Sequence, residues 1–128
     1  MDEQMLFDTD VLIWLQRGNE RAADLIEKTE SRFISVQSYM ELLRMAKDKR
    51  QHKLIKSFLG DFSFSVLPLT EKIGYRAAVY IEEYSLTSGL RAGDAIIAAT
   101  AVENSLTLSS GDKHMSAISE LDLKHFRV

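Results

Sequence analysis

The chain contains no cysteine and a single proline, Pro68, in 128 residues. Without cysteine there is neither a disulfide framework nor a thiolate metal site, and a reducing compartment suits the protein. With one proline and six glycines it has no linker, low-complexity tract or internal repeat to divide it. No run approaches the roughly 18 uninterrupted apolar residues of a membrane span. Nor does the start read as a secretory signal, because "MDEQMLF" is acidic and its apolar stretch breaks at Asp8. These absences predict a soluble cytoplasmic protein. Basic residues are outnumbered too, 16 against 19 acidic ones. A formal net charge of -3 argues against a general nucleic-acid glue, although local patches can override an average. What is present is 45% hydrophobic residues, enough for the core of one domain over 1–128 in a chain too short for two.

The hydrophobic pattern predicts strands separated by helices. A strand is expected at Met5 to Phe7, then a helix from about Val11 to Arg17 with Gly18 as its stop. The helix "ERAADLIEKT" leads to the strand "RFIS" at Arg32 to Ser35. Next come the helix "VQSYMELLRMAK", a basic helix "QHKLIKSFLG" and the alternating strand at Phe62 to Leu67. Beyond Pro68 a helix is expected from Glu71 to Ser85, followed by the loop "LTSGLRAG" and a helix "DAIIAATAVEN" that is apolar nearly all round and so buried. The strand "LTLS", a "SGDKH" turn and a short strand near "LKHFRV" end the chain. This alternation implies an α/β fold in three layers, α/β/α, around a central parallel sheet of four to five strands.

Functional groups in such sheets gather beyond the carboxyl ends of the strands. Asp8 and Asp10 lie in one strand-to-helix turn and Asp112 follows "LTLS" in another, while Asp94 opens a helix and Glu41 sits two turns into the helix after "RFIS". Four segments can thus deliver carboxylates to one edge. Taken singly, each acid also has a plain reading. Asp10 stands where an N-cap belongs before "VLIWL", Asp94 can cap its own helix, and Asp112 is an ordinary turn residue. Asp8 ends a strand one residue too early to be the obvious cap, so if buried it needs a partner. On a helical wheel Val36, Tyr39, Met40 and Leu43 define the apolar centre, and Glu41 falls off it toward solvent.

In order, "FDTDVLIWL", "ISVQSYMELL", "GLRAGDAIIAATA" and "LTLSSGDKHM" resemble the four motifs of the PIN-domain ribonucleases, above all the VapC toxins of toxin–antitoxin pairs. "DAIIAATA" is the most specific piece, and the likeness spans essentially the whole chain. The resemblance implies Asp8, Glu41, Asp94 and Asp112 as catalytic acids that also bind metal. Asp10, where many relatives carry Asn, and Ser110 are accessory to them. It further implies Mg²⁺, with Mn²⁺ as the alternative, and endonucleolytic hydrolysis of RNA leaving a 5′-phosphate. Oxygen ligands suit those hard cations. No His or Cys set stands at zinc spacing, since His52, His114 and His125 are scattered along the chain.

"RMAKDKRQHKLIK" concentrates Arg44, Lys47, Lys49 and Arg50 just after Glu41, and Arg91 lies three residues before Asp94. These are candidate RNA-binding residues, or simply solvated helix faces. Trp14, on a very apolar first helix, reads by default as core packing; the same resemblance implies that its neighbourhood is a groove for the helix of a VapB-type antitoxin, one whose arginine can pair with the acids. Tyr75, Tyr80 and Tyr84 are candidates for a homodimer contact. Three competing readings remain. "DTDVL" is similar to the nucleophile loop of haloacid-dehalogenase phosphatases, with Asp8 as nucleophile, but Leu12 stands where Thr or Val belongs. A response-regulator receiver fits the length, but needs an Asp after its third strand, where "SVLPLT" has none. The third is a non-catalytic RNA-binding PIN domain.

Overall fold

The computed structural model describes residues 3–128; Met1 and Asp2, which the one-domain reading includes, lie outside the described residues. Strand β1 (Gln4–Phe7) shows how the layers arise. Its apolar residues Met5, Leu6 and Phe7 are all fully buried, because the sheet is covered on both faces. Side chains alternate along a strand, so Met5 and Phe7 enter one core and Leu6 the other. Each such burial is worth about 1.5–3 kcal/mol.

The core on the Met5 and Phe7 side is closed by α1 (Thr9–Gln16), α2 (Glu20–Lys28), α3 (Val36–Arg44) and α4 (Lys49–Asp61). On the Leu6 side it is closed by α5 (Glu71–Ser88) and α6 (Ala92–Glu103). Between them run β1, β2 (Ser31–Ser35), β3 (Phe64–Leu67), β4 (Thr107–Ser110) and β5 (Leu123–His125), all parallel, in the order β3-β2-β1-β4-β5. α6 is buried as expected: Ala95, Ala98, Ala99 and Ala101 present little bulk, which lets it lie close to α5 and the sheet. No helix among the described residues is long and apolar enough to cross a membrane.

Several boundaries differ from the sequence pattern, each for a local reason. α5 runs on to Ser88, three residues past the expected end, because Gly89 takes the left-handed C-cap (φ 75°) that a residue with a Cβ resists. α3 stops at Arg44 and α4 starts at Lys49, where Asp48 caps it by accepting from Gln51 N. β3 begins at Phe64, after Ser63 turns the chain at φ 57°. The tyrosines of α5 do not form one face. Tyr75 is 69% exposed, whereas Tyr80 is buried and its hydroxyl bonds to Glu120, and Tyr84 packs behind it. Arg76 joins the same network through Glu103 and Glu120, tying α5 to α6 and to the segment before β5.

Candidate active site

The chain builds β1, β2 and β3 in one direction across the sheet, then returns to place β4 and β5 on the other side of β1. Between β1 and β4 the direction of winding reverses, and a crevice opens beyond their carboxyl ends. β1 runs directly into α1 with only Asp8 between them. Asp8 is extended (φ -69°, ψ 158°) and takes the N-cap position, its Oδ1 accepting from Thr9 N at 2.7 Å. The cap expected at Asp10 therefore belongs to Asp8, two residues earlier, because the turn has no spare residue.

Both oxygens of Asp8 are engaged. Oδ2 accepts from Ser110 Oγ at 2.6 Å, and Ser110 Oγ in turn accepts from Asp112 N at 3.0 Å, so β4 positions Asp8 and the turn after it together. Asp10, in the first turn of α1, reaches across the same gap: Oδ2 accepts from Gly111 N at 2.8 Å and Oδ1 from Val11 N at 2.8 Å. There is no room for a side chain at Gly111, where a Cβ would stand 2.7 Å from Asp10 Oδ2.

Glu41 is half-buried and held, contrary to its expected solvation. Thr9 Oγ1 lies 2.7 Å from Glu41 Oε1 and 2.9 Å from Ser38 Oγ. Thr9 has one hydroxyl proton and the carboxylate can only accept, so the proton goes to Glu41 and Ser38 supplies the other bond. Ser38 and Ser35 are fully buried and bonded to each other. The apolar centre assigned to α3 was misplaced for this reason: Met40 is 51% exposed, while the buried face carries Ser38 and Leu42. Internally satisfied hydroxyls can occupy a core face at little cost.

α6 begins two residues before Asp94, whose Oδ2 accepts from Arg91 N at 3.2 Å. Asp112 caps a 3-10 turn (Lys113–Ala117), its Oδ1 accepting from His114 N at 2.9 Å. One donor atom each from Asp94, Asp112 and His114 fall within 4.8 Å of one another. His114, dispersed from other histidines in sequence, is thus brought to the acids. Electrostatics reflect the crowding. Burial, then the neighbouring Asp10 charge, pushes the Asp8 carboxyl from 3.8 up to about 7, against the hydrogen bonds that oppose the shift. Burial also raises Asp10 and Asp94, with Asp112 adding to both. Buried acids that resist ionisation fit a site built to receive a cation, and an oxygen-rich donor set fits a hard divalent one.

The structure therefore gathers Asp8, Asp10, Ser110, Asp94 and Asp112 around the crevice, with Glu41 joined to it through Thr9. Arg44, Lys47, Lys49, Arg50 and Arg91 are exposed, the first four at the end of α3, in the link to α4 and in its first turn. Trp14 is partly buried beneath the Arg17 guanidinium, 5.5 Å from its ring centre. Three polar residues escaped sequence reasoning: Thr9, Ser38 and His114. A signal existed for two of them, since Ser38 and Glu41 share a helix face at i, i+3 and His114 follows Asp112 at the start of a turn.

A comparison with protein families matches residues 5–121 to the PIN domain. The chain belongs to the PIN domain family. Nuclease activity is the general function of this family, and the haloacid-dehalogenase and receiver readings of the first motif give way to it. Among solved structures, this PIN domain is 29% identical to a chain of a toxin–antitoxin complex from Klebsiella pneumoniae, with a TM-score of 0.78 over 92% of this chain and 95% of that one. FitAcB from Neisseria gonorrhoeae is 25% identical (TM-score 0.72, covering 97% of each chain). VapBC2 from Rickettsia felis, bound to a DNA fragment from its promoter, is 18% identical and shares the fold (TM-score 0.78, covering 99% of this chain and 100% of that one). A search of curated proteins finds no significant match.

Proposed function

We propose that this PIN domain is a divalent-metal-dependent endoribonuclease and the toxin of a toxin–antitoxin pair. The observation that carries the reading is the convergence of carboxylates from separate elements on the crevice between β1 and β4. The likeness to a chain of the Klebsiella pneumoniae toxin–antitoxin complex supports the partner, an antitoxin whose helix covers the groove near Trp14. In this reading Asp8, Asp94 and Asp112 hold Mg²⁺ or Mn²⁺, with Glu41 beside them. When bound, such a cation lowers the pKa of a coordinated water and offsets phosphate charge.

The chain's own groups do the rest. Ser110 and the Thr9 N–H fix the two oxygens of Asp8, so its carboxylate is aimed before substrate arrives. Glu41, with Oε1 tied to Thr9, keeps Oε2 to orient the attacking water and take its proton. Water adds to phosphorus and the bond to the 3′-oxygen breaks, leaving a 3′-hydroxyl and a 5′-phosphate. Arg44, Lys47, Lys49, Arg50 and Arg91 contact RNA phosphates along the approach to the acids. Tyr75, the one exposed tyrosine of α5, lies with Val79 and Leu86 on the surface offered to a second copy.

Cleavage of a fluorescent structured RNA tests the reading. Purified protein with Mg²⁺ or Mn²⁺ is expected to cut, and EDTA or Asp94→Asn to reduce the rate at least about 10³-fold. Cleavage that persists in EDTA or in the variant would overturn it. The Thr9 bridge has its own consequence. Thr9→Val keeps the shape and removes the hydroxyl, so kcat is expected to fall about tenfold, the worth of one hydrogen bond, with KM unchanged and Thr9→Ser restoring the rate. A rise in KM with unaltered kcat would place Thr9 in RNA binding instead.

A further inference from the structure

We infer that His114 is a further ligand of the cation at this site, giving it one nitrogen donor among the oxygens and a preference for Mn²⁺ over Mg²⁺. The inference rests on the proposed metal site and adds to it a residue outside the four acids. Asp112 and His114 are fixed to each other by the 3-10 turn, in which the His114 N–H donates to Asp112 Oδ1. His114 Nδ1 stands 3.3 Å from that same oxygen. This is long for a charge-assisted hydrogen bond, which runs to about 2.9 Å. It is close to the roughly 3 Å that separates adjacent donors on an ion with bonds of about 2.1 Å.

The third donor agrees. One donor atom each from Asp94, Asp112 and His114 lie within 4.8 Å of one another, and ligands of one small ion stand about 3 to 4.2 Å apart. Rotation of the partly exposed imidazole and of the Asp94 carboxylate can close the difference. The ring's other edge lies toward Gly89. Nε2 and Cδ2 would stand 3.6 and 4.0 Å from a Cβ built there, while Nδ1 lies on the side of the acids, 3.3 Å from Asp112 Oδ1. Magnesium binds nitrogen poorly and keeps its waters, whereas first-row transition cations accept imidazole readily.

Pulsed electron paramagnetic resonance of the full chain loaded with Mn²⁺ tests this without reference to activity. A directly bonded nitrogen modulates the Mn²⁺ echo, and that modulation is expected in the unsubstituted protein and absent in His114→Gln. Titration of the same two proteins is expected to show about a tenfold loss of Mn²⁺ affinity with Mg²⁺ affinity little changed. A bound Mn²⁺ that is lost in Asp94→Asn yet shows no nitrogen coupling would overturn the role of His114 and leave the metal site standing. Coupling that survives in His114→Gln would overturn it equally. Failure of Mn²⁺ to bind, or binding indifferent to Asp94→Asn, would overturn both the ligand and the site. Should His114→Gln fold poorly, the spectrum of the unsubstituted protein still decides whether nitrogen is bound.

Discussion

Asp8→Asn is expected to raise the melting temperature in EDTA at pH 7.5 while lowering RNA cleavage about 10³-fold or more. The two effects share one cause. Asp8 is 6% exposed, and burial with the adjacent Asp10 charge lifts its pKa from 3.8 to about 7. Between those values the folded protein holds a proton there that the unfolded chain has already released. The stability this group contributes is therefore complete below about pH 4 and is lost as the pH rises through 7. Asparagine carries no such titration. The variant's advantage should accordingly grow from pH 4 to pH 7 and then level off, reaching on the order of 4 kcal/mol, or roughly 10–15 °C. Melting curves of both proteins across pH 4 to 8 in EDTA measure it. A pH-independent offset would mean that Asp8 does not bear the buried charge. Adding Mn²⁺ should reverse the ranking, since ligand linkage stabilises only the protein that binds the ion well.

Gly111→Ala is expected to cost about 2–3 kcal/mol, and with it roughly 10 °C in melting temperature. The methyl group would meet Asp10 Oδ2 at 2.7 Å and the Phe126 carbonyl oxygen at 3.1 Å. The first obstacle is the end of a side chain, but one held by the Gly111 N–H itself. The second is backbone, anchored because Phe126 N donates to Ser110 O at 2.8 Å. Relief of one clash thus strains the attachment of β5 to β4. In a double-mutant cycle, Asp10→Ala should recover about 1 kcal/mol of the Gly111→Ala loss by removing the nearer obstacle. Strict additivity of the two substitutions, measured by denaturant melts, would refute this packing account. The cleavage rate should fall with Gly111→Ala as well, because the same turn carries Asp112.

Strands and layers were legible in the sequence because short apolar or alternating stretches such as "MLF" and "LTLS", separated by helical patterns, have few rival interpretations. The acids were legible as a set, through the motifs around Asp8 and Asp94, more than as individual groups. Local periodicity misread α3: it placed Met40 inside and Glu41 in solvent, since a wheel scores hydroxyls as polar and has no means to see that Ser35, Ser38 and Thr9 satisfy one another. The cap was expected two residues late for a related reason. The usual loop between strand and helix is missing, and only tertiary pairing of Asp8 with Ser110, 102 positions onward, shows how tightly the turn is drawn. His114 could not be placed from spacing alone, because its partner Asp94 arrives from another element.

That pairing of Asp8 with Ser110 also bears on when the protein can acquire activity during its synthesis. Strand β4 inserts beside β1 after β2, β3 and all six α-helices have been made, and no earlier segment supplies the hydroxyl, the Gly111 amide or Asp112. A nascent chain halted before residue 107 holds Asp8, Glu41 and Asp94 but lacks the wall of the crevice that β4 and Asp112 form. In the proposed reading, competence to cut therefore arises late, once the segment from residue 107 onward has left the ribosome and docked against the first strand.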